Sequence, residues 1–334
     1  MTGESKVKRG DSGGDASARL EWVDAAKGLG IILVVIAHVW TRGFVRDFIY
    51  SFHMPLFFLL SGYMSKPRPM GDFLFKQLRA MAVPYVAFLL SLALFDVGFE
   101  TLRGHHPIFR DAGDAVWRLS MGGSELRGPF TIFWFVPCLF FARLGRNAIA
   151  QGLPDARDWR WAVVTAALVA FGVWIGQRTD FSPLGLLSVP VVIALLWLGA
   201  LWRSLPRDGV LLMIAGVVGL IAVCALPYWH VPPLNIKIGD YGWPSVSLIA
   251  AVALSLCVCA AARAVPLKCL CRLGQMSLVI MYLHVAVIHY LTPYLVKYMI
   301  LFAALLIPIV TQILLKKFAF TRRYYLGEVP QPER

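Results

Sequence analysis

Long apolar runs, separated by short segments that hold most of the charge, organise this chain of 334 residues. A helix crossing a bilayer with some tilt needs about 17 to 25 apolar residues. Stretches of that kind lie at 28–46, 47–64, 80–98, 131–145, 161–177, 184–202, 209–227, 244–262, 275–292 and 298–315. The pattern predicts an all-α fold: a polytopic integral membrane bundle of about ten transmembrane helices, forming one domain over 21–318. The fourth run is short, and Arg42, Arg46 and Asp47 blur the boundary between the first two. Residues 1–20, rich in Gly, Ser, Asp and Lys, carry too little apolar surface to fold alone and read as a disordered cytoplasmic tail. Residues 319–334 read as a second cytoplasmic tail. No cleavable signal pattern precedes the first run, so that run is expected to stay as a signal anchor.

Composition places this pattern in a membrane: 58% of residues are hydrophobic, 15% are charged, and the mean hydropathy is +0.67. With the N-terminus in the cytoplasm, 23 of the 32 Lys and Arg residues fall in inner segments, so both termini are predicted inside. The net charge of +13 is then topological bias and contact with anionic lipid. Nucleic-acid binding is the poorer explanation, because no soluble basic domain carries it. Six cysteines include the pairs Cys257–Cys259 and Cys269–Cys271. Positions i and i+2 of a helix point about 200° apart, which suits joint metal ligation badly; no metal site is expected, and the thiols read as packing groups.

Ionisable groups are expensive in hydrocarbon, which makes His38 the first candidate for chemistry. It lies inside the run Leu29–Trp40, after the charged stretch Glu21-Trp-Val-Asp-Ala-Ala-Lys27. Helical steps of three and four residues connect Asp24, Gly28, Ile31, Val35 and His38 along one stripe. Lys27 lies about 16 Å below His38, which puts the imidazole slightly beyond the midplane toward the outside. Asp24, about 21 Å away, cannot orient it in a continuous helix. His53, near the outer end of the second run, and His284, about 15 Å into the ninth, fall at similar depths. Three imidazoles can therefore converge, either on a reaction or simply as interhelical hydrogen bonds. Met54-Pro55 and Ser61-Gly62 read as a kink and a close helix approach, and Trp134 as an interfacial aromatic. Lys76 and Arg79, one turn apart at an inner helix end, suit a phosphate and suit positive-inside bias equally.

These stretches, in this order, resemble the bacterial membrane acyltransferases of the acyltransferase-3 family, most nearly the fucose 4-O-acetylase-like branch that modifies glycans. The resemblance rests on Trp22-Val-Asp24 with Lys27-Gly28 and His38; Phe52-His-Met-Pro-Leu-Phe-Phe-Leu-Leu-Ser-Gly-Tyr63; and Lys76 and Arg79 ahead of Pro84-Tyr85. It continues through Phe133-Trp-Phe-Val-Pro-Cys-Leu-Phe140, Val189-Pro190 with Leu198-Gly199, and Leu273-Gly274 with Ser277 and Tyr282-Leu-His284. It implies a ten-helix enzyme of the bacterial cytoplasmic membrane. Such an enzyme takes an acyl group, acetyl before succinyl, from cytoplasmic acyl-coenzyme A and transfers it to a hydroxyl of a free, lipid-linked or polymeric saccharide. By position, His38 matches the catalytic histidine, Lys27, Lys76 and Arg79 fall to the coenzyme, and Asp24 and Trp134 to substrate binding. Lys27 and Lys76 stand where many members have arginine, and lysine cannot make the bidentate phosphate contact.

A sugar hydroxyl attacks a thioester readily only when a base takes its proton as the bond forms. His38 is expected to be that base, with His284, Tyr282 or His53 orienting it or stabilising the developing oxyanion. An acyl-His38 intermediate is the covalent alternative. Outer residues Glu100, His105, His106, Arg110, Asp111, Asp114, Glu125 and Arg127 offer polar groups to an acceptor. The alternative of another class is a transporter or flippase of a lipid-linked glycan, which ten spans and midplane polar groups would also fit.

Overall fold

A computed structural model describes residues 20–228, 231–232 and 234–328. Its helices are α1 (Glu21–Val39), α2 (Phe44–Tyr50), α3 (His53–Tyr63), α4 (Met70–Gln77), α5 (Val83–Leu102), α6 (Ala112–Met121) and α7 (Phe135–Gly152). They continue as α8 (Trp159–Gly176), α9 (Val189–Ser204), α10 (Gly209–Tyr228), α11 (Pro244–Ala264), α12 (Lys268–Leu291), α13 (Lys297–Leu315) and α14 (Ala319–Tyr325). No strand occurs among the described residues. Among the described residues, eight helical stretches are long and apolar enough to cross a membrane. The chain is an all-α, polytopic membrane bundle, with α1, α7 and α9 enclosed and α8 and α13 facing outward.

Apolar burial cannot glue helices together in lipid, where the surroundings are equally apolar; close packing of small residues does so instead. Two helix pairs meet backbone to backbone at paired glycines. At Gly28 a Cβ would overlap the carbonyl of Leu270, and at Gly274 it would overlap the carbonyl of Asp24. The same holds between α3 and α9, where Gly62 abuts the Leu196 carbonyl and Gly199 the Leu59 carbonyl. These four are the glycines that stand in the recurring sequence stretches described above. Any side chain at them would push the helix pair apart.

Three predicted elements take a different form. The run 47–64 is not one helix: it divides into α2 and α3 at Ser51–Phe52, where Phe52 leaves the helical region (φ −140°, ψ −14°). Pro55 explains the position, because its ring cannot accept the carbonyl of residue 51 in a continuing helix and it donates no hydrogen bond. The run 80–98 begins earlier, at Met70, and passes through a π-helical turn, Leu78–Ala82, immediately before Pro84. A π turn is a known way to absorb an inserted residue or a missing donor within a helix. Within the predicted C-terminal tail, Ala319–Tyr325 forms α14 and returns to α5, with Tyr325 Oη 2.5 Å from Ser91 Oγ and its ring 5.1 Å from Phe88, while residues 329–334 lie outside the described residues. Residues 1–19 of the predicted N-terminal tail lie outside the described residues.

The glycine contacts set a clear expectation. Gly274→Leu or Gly199→Leu should cost at least the ~1–3 kcal/mol of an overpacked core, seen as a lowered thermal midpoint and loss of monodisperse protein in detergent. Gly216→Ala, where nothing lies within 4 Å of the new methyl, should leave both unchanged.

Candidate active site

His38, His53 and His284 do converge. The α1–α12 contact runs parallel, with Cys271 Sγ bonded to the Glu21 carbonyl at 3.3 Å and Gln275 Nε2 3.4 Å from Asp24 Oδ2 near the helix starts. Ten residues beyond the glycine crossing on each helix stand His38 and His284, about 15 Å along both axes. Their rings meet edge to face with centroids 5.0 Å apart. Tyr50 joins them from α2: its Oη is 3.5 Å from His38 Nε2, and its ring is 4.8 Å from that of His53.

Each imidazole is anchored in the same manner. Nδ1 of His38 lies 2.8 Å from the Val34 carbonyl, Nδ1 of His53 3.0 Å from that of Ile49, and Nδ1 of His284 2.9 Å from those of Ile280 and Met281. A carbonyl only accepts, so this geometry assigns the proton to Nδ1 and a lone pair to Nε2 in the neutral ring. For His38 that lone pair faces Tyr50 and a cavity. Nε2 of His284 is buried without a partner among the described residues.

The cavity, about 490 Å³, has His38, Tyr50, His53 and Trp134 among its lining residues, together with Arg46, Glu125, Arg127, Thr131, Asp180 and Lys237. Its walls come from loops tied to one another. Ser124 N–H donates to the Ser182 carbonyl at 3.0 Å, and Ser182 N–H donates back to Ser124 Oγ at 2.9 Å. Ser188 Oγ bonds the Ile236 carbonyl, and the turn that follows closes through Gly239 in the left-handed region (φ +72°), which favours glycine. Lys237 is thereby aimed inward, donating to the Leu126 carbonyl at 3.0 Å and to Thr131 Oγ1 at 2.7 Å. Burial, with a smaller contribution from the charge of Arg127, lowers its ammonium pKa to about 8. The Arg46 guanidinium stands 4.1 Å over the Tyr50 ring and pairs with Asp47 at 2.6 Å.

The structure sorts the remaining candidates. Asp24 and Lys27 form a 4.0 Å ion pair at the opposite end of α1, which is unbroken from Glu21 to Val39, so Asp24 does not approach His38. Lys76 and Arg79 lie at the same end as that pair and are exposed, with Arg79 4.1 Å over the Phe75 ring. Tyr282 does not join the imidazoles: two residues before His284 it points the other way, stacked on Phe88 at 4.7 Å and 5.1 Å from Phe133. Of the outer polar residues, Glu125 and Arg127 reach the cavity. Glu100 instead pairs with Arg103 and His105 at 3.1 and 3.4 Å, and Asp111 caps α6. Sequence reasoning missed Tyr50 and Lys237, and it took Arg46 only as a charge that blurs a helix boundary. Only the first had a legible signal, three residues before His53; Lys237 arrives through a distant loop.

Comparison with protein families matches the chain to the acyltransferase domain of the acyltransferase-3 family over residues 20–315. Neither the curated proteins nor the solved structures contain a match to the chain. The family match covers every helix from α1 to α13 and every residue of the cavity, and on that extent the chain belongs to the acyltransferase-3 family, as a membrane acyltransferase.

Proposed function

We propose that this membrane acyltransferase transfers an acyl group, acetyl in the first instance, from cytoplasmic acyl-coenzyme A to a hydroxyl of a surface or secreted glycan. It would do so in the cytoplasmic membrane of a bacterium and as a relative of the fucose 4-O-acetylase-like branch. The observation that carries the reading is His38: its Nδ1 is held by Val34, and its Nε2 is turned toward a polar cavity at the end of the bundle read as external. In this reading the acceptor enters the cavity, and its hydroxyl approaches Nε2. The imidazole takes the hydroxyl proton as oxygen attacks the thioester carbonyl; the C–S bond then breaks, and the imidazolium gives that proton to the departing thiolate, which leaves as the coenzyme thiol. Tyr50 and Arg46 stand where a developing oxyanion can be stabilised; His284 keeps the His38 ring in place by packing, and His53 does the same for Tyr50. Trp134 supplies an apolar wall for the sugar face. Lys27, Lys76 and Arg79 mark the inner end as the donor side, with Asp24 holding Lys27. Tyr282 has no part in this assignment, because its hydroxyl is packed away from the cavity.

Three measurements test the reading, using protein in lipid nanodiscs, labelled acetyl-coenzyme A and a glycan acceptor. His38→Ala should reduce label transfer by about 10²–10⁴-fold, the usual worth of a general base, while the thermal midpoint holds; undiminished transfer would remove His38 from the reaction. Tyr50→Phe, which keeps the ring and deletes the hydroxyl, should lower kcat by about tenfold, a fraction of the ~10²–10³ seen for one oxyanion donor. Lys237, with its pKa lowered to about 8, is charged below that pH and neutral above it. As a cavity-wall ammonium that would donate to the acceptor's oxygens, Lys237 should make kcat/KM for the acceptor fall as pH rises through about 8, and Lys237→Arg should carry the plateau to higher pH. A wild-type profile with no such fall would separate Lys237 from acceptor binding.

A further inference from the structure

Arg143 and Arg146 sit one turn apart on α7, and the charge pattern alone makes them ordinary inner-face cations. Their surroundings are not ordinary. Arg146 is only 4% exposed, yet neither arginine has a carboxylate or any hydrogen-bond partner among the described residues, and Nε of each is sealed without one. Two like charges one turn apart repel each other, and a buried guanidinium without an anion is among the costlier groups a protein can hold. The nearest ring is Phe73 on α4, 6.0 Å from Arg143 Cζ. One turn further along the same face of α4 is Gln77, 2% exposed, with its Oε1 also unpartnered. Residues that would have served as partners are already engaged: Asn147 bonds the Arg68 backbone in both directions, at 3.0 and 2.9 Å.

We propose that Arg143 and Arg146, with Gln77 beside them, form a phosphate-binding site between α4 and α7 that takes a phosphate ester of the acyl donor. Guanidinium forks suit phosphate oxygens, which accept two parallel N–H bonds and neutralise the charge that α7 leaves uncompensated. The site lies near Lys76 and Arg79, and it holds what those two exposed side chains lack, a buried guanidinium at Arg146 with a half-buried one at Arg143 a turn away. The assignment to the donor rests on the reading of acyl-coenzyme A as substrate; the phosphate chemistry does not. A phospholipid headgroup offers the same ester.

The test is made on the full chain in phosphatidylcholine nanodiscs, with adenosine 3′,5′-bisphosphate as probe and calorimetric binding as readout. Wild type should bind it, and Arg143→Gln/Arg146→Gln should bind at least tenfold more weakly, while Arg160→Gln, an exposed arginine paired with Asp158, should match wild type. The double variant should raise KM for acetyl-coenzyme A at least tenfold and leave turnover of S-acetylpantetheine, which has no such phosphate, unchanged. Its thermal midpoint should hold or rise, since an uncompensated charge has been removed. Equal affinity in variant and wild type overturns the site. So does a fall in midpoint accompanied by equal losses with both donors, which is the signature of a structural pair. If phosphatidic acid displaces the probe from wild type while KM for acetyl-coenzyme A stays unmoved in the variant, the site is a lipid one and the donor assignment falls. Absence of any transfer from acetyl-coenzyme A by wild type would sink the acyl-transfer reading, yet probe binding lost only in the variant would still uphold the arginine site.

Discussion

The backbone contact between α1 and α12 at Gly28 and Gly274 is the constraint on which the rest of the molecule depends. In hydrocarbon, helices gain nothing from leaving the solvent, so their separation and register follow from how closely their surfaces fit. Here the fit is carbonyl against glycine on both sides of one crossing, a geometry that fixes the two helices axially as well as laterally. Because the two run parallel, equal distances from the crossing bring equal depths. The His38–His284 contact is therefore a consequence of the crossing, reached ten residues later on each helix.

A second glycine pair, Gly62 with Gly199, performs the same service for α3. That helix is short and begins abruptly at His53, because Pro55 forbids a longer one. The break is what brings Tyr50 against both His38 and His53: α2 approaches at its own angle and delivers its last residue to the imidazole cluster. Rigid crossings below and a proline break above together leave a polar cavity bounded by imidazoles.

Electrostatically, the molecule separates two kinds of cation. Lys237 is held over the cavity by a carbonyl and a hydroxyl, in a position where its charge responds to pH. Arg146 is enclosed near the other end of the bundle with no counter-charge among the described residues. The His38 imidazole shares the cavity with Lys237, and its tautomer is set by the helix that carries it.

The apolar runs by themselves determined the membrane bundle, and the cost of ionisable groups in hydrocarbon drew attention to His38, because both follow from properties of single residues and their spacing. The 1.5 Å rise also sufficed to keep Asp24 from His38, since α1 has no break. Spacing could not say which side chains face one another across helices. It grouped Tyr282 with His284, although residues two apart on a helix diverge, and it gave no hint that Lys237, some two hundred residues away, closes the cavity. Charge counting treated Arg143 and Arg146 as surface cations, and burial reversed that. Local periodicity thus determined what each helix is, while the glycine crossings, the proline break and the loop ties decided which residues meet, because those meetings depend on contacts between segments remote in the chain.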